Sequence, residues 1–167
     1  MTRFLGYLPK ILFLSLCLVL FYCSKEGTNN NVHFPFLDNN FKDKIIIVAG
    51  STLSDGAVLW INDKKIKLIG DAIEATGLFY YNEKIYATGW QYGGNGSVWT
   101  MNKDGSDQTH IELEGKFSEG QRILVHNGDI YVGGYFDQGS CYWKNGSKTN
   151  LTTNADSMSW GIWIDSD

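Results

Sequence analysis

The sequence predicts an all-β fold of short antiparallel strands, repeated in three units of about 40–45 residues. Three observations lead there. β-Branched and aromatic residues come in short runs bounded by Gly, Asn or Asp, the pattern of strands joined by tight turns. One run, Lys44-Ile45-Ile46-Ile47-Val48-Ala49-Gly50, returns as Lys84-Ile85-Tyr86-Ala87-Thr88-Gly89 and again as Asp129-Ile130-Tyr131-Val132-Gly133-Gly134. A Trp follows each run at matching distance, at Trp60, Trp99 and Trp143. The composition, with 14% aromatic residues, 19 Gly and only two Pro in 167 residues, argues against disorder, and 19% charged residues argue against a coiled coil. A net charge of −4 argues against nucleic acid as a partner, which would call for a basic stripe.

Taken in chain order, residues 1–22 read as a secretory signal. Arg3 and Lys10 supply its positive end, no acid occurs before Glu26, and from Ile11 to Tyr22 every residue except Ser15 is apolar or Cys. Twelve residues of helix span about 18 Å, short of the ~30 Å hydrocarbon core, which disfavours the competing reading of a retained transmembrane anchor.

The run ends in Leu20-Phe21-Tyr22-Cys23-Ser24-Lys25, and these residues resemble the lipobox of bacterial lipoproteins. That resemblance places Leu20 three residues before Cys23 and implies lipidation of Cys23 after cleavage. Tyr22 departs from the small residue the lipobox usually carries there. The implied location is the bacterial cell envelope, exported and lipid-anchored at the outer membrane or cell surface, since two or three acyl chains hold a protein stably to a membrane. Removing residues 1–22 leaves 145 residues, with 12 basic against 18 acidic side chains, and Cys141 as the one Cys besides Cys23. With Cys23 lipidated, no intrachain disulfide forms and the core alone must hold the fold. Residues 23–43 are polar and Asn-rich around the island Phe34-Pro35-Phe36-Leu37. They read as a tether with a reach of roughly 25 Å, or as a segment whose island docks on the domain.

The units that follow are 44–83, 84–128 and 129–167. After the first run and its Trp segment each has a turn, at Asn62-Asp63, Asp104-Gly105 and Asn145-Gly146, then a short apolar piece ending at Leu68, Leu113 or Leu151. Each closes with a last run: Leu78-Phe79-Tyr80, Ile123-Leu124-Val125 and Ile162-Trp163-Ile164. Asn82-Glu83 and Asn127-Gly128 join one unit's last run to the next unit's first, which predicts a hairpin across each border. Four strands in about 40–45 residues is the size of a β-propeller blade.

At Asp129–Gly134 and Tyr142-Trp143-Lys144-Asn145-Gly146 … Leu151 the chain resembles bacterial secreted proteins with tandem propeller-type repeats of the form I-Y-V-G-G … Y-W-K-N-G. Kelch and WD-type propellers are similar in blade length, but their signature residue pairs are not reproduced. The resemblance implies an architecture and is silent about activity. Three units are fewer than the four or more blades of closed propellers. The strands expected at 45–49 and 161–165 therefore become two complementary open edges, and open edges pair. Edge pairing between chains, a longer ancestral product and an open three-unit stack are the alternatives.

Trp60, Trp99 and Trp143 are candidates either for packing between units or for a ligand platform, because aromatic faces stack on sugars. Trp90, just past Gly89, is a candidate at the end of a strand. His126 is another, since it breaks the repeat where Tyr81 and Asp165 stand. Asp137 and Glu119 read as loop acids. Asn102-Lys103-Asp104-Gly105-Ser106-Asp107 lacks the spacing of a calcium loop and reads as a hairpin turn. Neither a metal site nor a cofactor nor a catalytic motif is predicted. These residues point to an envelope lipoprotein presenting a β-repeat domain to a protein or glycan ligand. The rivals are a secreted carbohydrate-active hydrolase or lyase, and a truncated inactive remnant.

Overall fold

The computed structural model describes residues 44–152 and 154–165, all within the unit Leu37–Asp167. The signal, Cys23 and the tether lie outside the described residues. Eleven strands, and among the described residues no helix, form three antiparallel meanders. The first sheet holds β1 (Ile47–Thr52), β2 (Gly56–Ile61) and β3 (Lys64–Lys67). The second holds β4 (Ala72–Tyr81), β5 (Lys84–Gln91), β6 (Asn95–Asn102) and β7 (Thr109–Glu112). β8 (Glu119–His126), β9 (Asp129–Phe136), β10 (Gly139–Lys144) and β11 (Ser147–Asn150) form the third.

Each four-stranded sheet takes its first strand from one sequence unit and the other three from the next. The reason is local. Asn82 and Glu83, at φ 49° and 60°, and Asn127 and Gly128, at 51° and 83°, turn the chain with two successive left-handed residues. Turns of that hand match the twist of the strands they join, so β4 pairs with β5 and β8 with β9. The repeat holds residue by residue in the register: Trp60 stands opposite Val48, Trp99 opposite Ala87 and Trp143 opposite Val132.

Eleven of the twelve expected runs fall at strands, although those at the three short apolar pieces end one residue before Leu68, Leu113 and Leu151. The exception is 161–165, which belongs to no ladder among the described residues. The first strand begins at Ile47 rather than Ile45 and runs on to Thr52. β5 does not end at Gly89 but continues to Gln91, and Glu119 is not a loop acid but the first residue of β8. Among the described residues the sheets do not close into a ring.

The sheets stack in order. β4 packs on β1 and β2, and β8 packs on β4, β5 and β6. Two cores result. Ala57, Leu59, Leu68, Ile85, Ala87, Trp99 and Met101 fill the space between the first and second sheets. Val98, Leu113, Ile123, Val132, Cys141 and Trp143 fill the space between the second and third. Val98 and Trp99 point opposite ways along β6, one into each core, as the two-residue period of a strand requires. The middle sheet is therefore buried on both faces.

Candidate functional site

The repeated Trp side chains join sheet to sheet. Trp99 is fully buried and donates its indole N–H to the Ile69 carbonyl of the preceding sheet's outgoing loop at 3.0 Å. Trp143, also fully buried, donates to the Glu114 carbonyl one repeat later at 2.8 Å. A buried indole with its N–H satisfied has no face to offer a sugar, so these two do the packing job of the pair weighed for them. Trp60, in the first sheet, is half-buried.

His126 lies at the far end of β8 from Glu119, its Nε2 2.9 Å from Asn127 Nδ2. Eight strand residues separate that end from the other by roughly 23 Å, so His126 and Trp90 share no site.

Trp90 belongs to a cluster at the opposite end of the stack. There the ends of β5 and β9 meet the beginnings of β4 and β8. A bulge between Glu74 and Ala72 in β4, and another between Gly120 and Arg122 in β8, alter the register at those beginnings. The paired residues are Glu74 with Trp90 and Glu119 with Tyr135. Trp90 Nε1 donates to Glu74 Oε2 at 3.4 Å, and Tyr135 OH donates to Glu119 Oε2 at 2.5 Å. Gln121 Nε2 donates to the other Glu119 oxygen at 2.7 Å. One carboxylate–aromatic pair thus recurs in two adjacent sheets. Burial and the neighbouring Glu119 carboxylate push the Tyr135 phenol up to about 12, so it keeps its proton and remains a donor through the physiological range.

Between the two pairs is an open cavity of about 180 Å³ lined by Trp90, Gly94, Phe117, Ser118, Glu119 and Tyr135. Phe117 is 69% exposed and stands in the left-handed region at φ 49°, which costs a bulky residue of order 1 kcal/mol or more. The buried Ser118 holds it there: its N–H donates to Gly94 O at 2.8 Å, its hydroxyl donates to Gly115 O at 2.9 Å, and the Gly96 N–H donates to that hydroxyl at 2.8 Å. The cavity therefore has aromatic walls and a carboxylate at its rim. That combination suits a polyhydroxylated ring, whose C–H face lies on aromatic carbon and whose hydroxyls donate to Glu119.

Of the residues singled out from sequence, Trp90 and Glu119 line this cavity. Glu74, Phe117 and Tyr135 escaped notice. The signal for Tyr135 was present in the repeat, since Gly134-Tyr135 occupies the place of Gly89-Trp90. Residues 102–107 form a turn closed by Asn102 N–H to Ser106 O at 2.9 Å, with Asp104 accepting from the Ser106 N–H at 3.0 Å.

No protein-family model matches the sequence, and no curated protein does. Among solved structures the chain is similar to the crystal structure of the computationally designed Ika8 protein, at 16% identity and a TM-score of 0.40. The match covers 64% of this chain and 32% of the other, so the chain spans about a third of that protein's length.

Proposed function

We propose that the chain is an exported lipoprotein of the bacterial cell envelope, anchored through Cys23, whose three sheets are propeller-type blades presenting a glycan-binding site. The observation that carries the ligand class is the cavity between Trp90, Phe117 and Tyr135 with Glu119 at its rim. A strained aromatic held out to solvent beside a second aromatic and a hydrogen-bonded carboxylate is a costly arrangement for packing, and a natural one for stacking on a sugar ring. The anchor rests on the basic start, the apolar run of 11–22 and the Leu20–Cys23 spacing. A tether of about twenty residues would carry the site clear of the headgroups.

Two experiments test the two halves separately. In a bacterial host fed a labelled fatty acid, the full chain takes up label and Cys23→Ala does not; label surviving in that variant would remove the anchor from the proposal. In calorimetric titration with neutral oligosaccharides of cell-wall and capsular type, Trp90→Ala weakens binding at least ten-fold while the melting temperature stays within a few degrees. Unchanged affinity in Trp90→Ala, or no binding across the oligosaccharides by the parent chain, would sink the glycan site.

A further inference from the structure

We propose that a second copy of this chain completes the first sheet: residues 158–165 of one copy pair antiparallel with the outer edge of β1 in the next, so that the stack of sheets continues from chain to chain. This goes beyond the glycan site and does not depend on it.

The acceptor is β1. Ile46 faces β2's end, its carbonyl accepting from the Asn62 N–H at 2.8 Å and its N–H donating to Asn62 Oδ1 at 3.0 Å. The same pair of bonds recurs between Ile130 and Asn145 at 2.8 and 2.9 Å. Antiparallel ladders alternate, so the N–H and C=O of Ile47 and Ala49 aim away from β2, as those of Tyr131 and Gly133 aim at β8. In β1 no strand among the described residues lies on that side. Gly50 is shaped for one. At the corresponding Gly89 and Gly134, a Cβ would come 2.0 Å from the carbonyl oxygen of Glu74 or Glu119 in the bulged outer strand. At Gly50 the same built atom meets only the Trp60 ring, at 3.1 Å, and the place of the carbonyl is open.

The donor is the last run. Ile162-Trp163-Ile164 repeats Leu78-Phe79-Tyr80 of β4 and Ile123-Leu124-Val125 of β8. It packs on β9, where a Cβ at Gly133 would lie 3.0 Å from the Gly161 oxygen and 3.2 Å from Ile162 Cβ. It cannot also reach β1 of its own chain, because the second sheet stands between the first and the third. The register of Phe79 opposite Tyr86 and Leu124 opposite Tyr131 carries over as Trp163 opposite Ile47, with Ile164 on Ile46 and Ile162 on Val48. Asp165 of the donor then comes opposite Ile45 of the acceptor.

The two ends of the stack match each other as adjacent sheets do. Leu68, Leu113 and Leu151 are equivalent, each donating its N–H to the strand before it, to Ala57 O, Gly96 O and Ser140 O at 3.0, 2.8 and 3.0 Å. The first two are 0% and 2% exposed under the following sheet, while Leu151 is 60% exposed. The residues after the first two, Ile69 and Glu114, supply the carbonyls that accept from Trp99 and Trp143. Seated on the third sheet, the next copy's Trp60 would find the Thr152 carbonyl in that place. A head-to-tail contact of this kind builds a ring where the rotation closes and a filament where it does not.

Cross-linking between two different chains tests the pairing. Full-length Ile47→Cys and Trp163→Cys are purified in detergent, mixed and oxidised, with the parent chain as background for Cys23 and Cys141. Directly opposite residues of a hydrogen-bonded pair stand about 5.5 Å apart at Cα, within disulfide reach. The expected product is a heterodimer absent from either variant alone. Adding Ala49→Pro to the acceptor chain, which deletes an N–H that β2 does not use, lowers its yield at least ten-fold with an unchanged circular dichroism spectrum. On the unsubstituted chain, protection of the Ile47 and Ala49 amides from hydrogen exchange rises with protein concentration. The proposal falls if folded variants mix without the heterodimer or if Ala49→Pro leaves the yield unchanged. It falls equally if protection is independent of concentration, which would assign the β1 edge to residues of the same chain.

Discussion

Trp99 and Trp143 show how one residue type joins neighbouring sheets. Each is large enough to fill the gap between them and ends in a donor that needs an acceptor when buried. The loop leaving the preceding sheet supplies that acceptor at Ile69 and Glu114. Truncating Trp99 removes both the filling and the bond, so Trp99→Ala is expected to lose ~3–5 kcal/mol in denaturant unfolding. A loss under about 1 kcal/mol would contradict the core role. Cys141 is the complementary case of a reactive side chain made inert. Burial pushes its thiol up to about 12, so almost none is thiolate near neutral pH. The sequence announced the repeating Trp positions through their spacing. It did not announce Phe117, whose importance comes from a backbone twist held by Ser118, and no residue type encodes that on its own.

At the scale of the element, hairpins were readable because their chemistry is local. Asn and Gly enter the left-handed region at small cost, so Asn127-Gly128 and Asn145-Gly146 mark turns wherever they fall between alternating runs. Strand ends were read less well. β5 passes through Gly89 because a glycine there serves the neighbouring strand rather than a turn. A Cβ at Gly134 would sit 2.0 Å from the Glu119 oxygen and 3.0 Å from the Trp143 ring, a clash with backbone that cannot move aside. Gly134→Ala is therefore expected to cost about 1–3 kcal/mol or to prevent folding. Gly50→Ala, facing only the edge of the Trp60 ring, should cost the isolated chain markedly less. Equal losses at the two positions, compared by denaturant midpoints, would show that the outer strand is not what keeps the glycine.

For the whole molecule, burial on both faces of the second sheet concentrates the cores at its two sides and leaves the first and third sheets as ends. That arrangement explains the exposed Ile46, Val48, Leu151, Trp160 and Trp163, at 43%, 49%, 60%, 69% and 85%. They sit at interfaces that recur inside the stack and that no sheet among the described residues covers at its ends. Long apolar edges of this kind are hazardous unless something pairs with them. The sequence by itself determined the all-β class, the three-fold repeat, the hairpins across unit borders and the spacing of the repeated Trp. All of these follow from residue periodicity and turn chemistry within a span of some 40–45 residues. Only the tertiary structure decided which Trp faces a core, that Trp90 and His126 lie at opposite ends, and that Glu119 and Tyr135 join Trp90 around a cavity. Those facts depend on how one sheet lies over the next, and the stacking brings together side chains some thirty to forty-five residues apart, a relation that no local pattern carries.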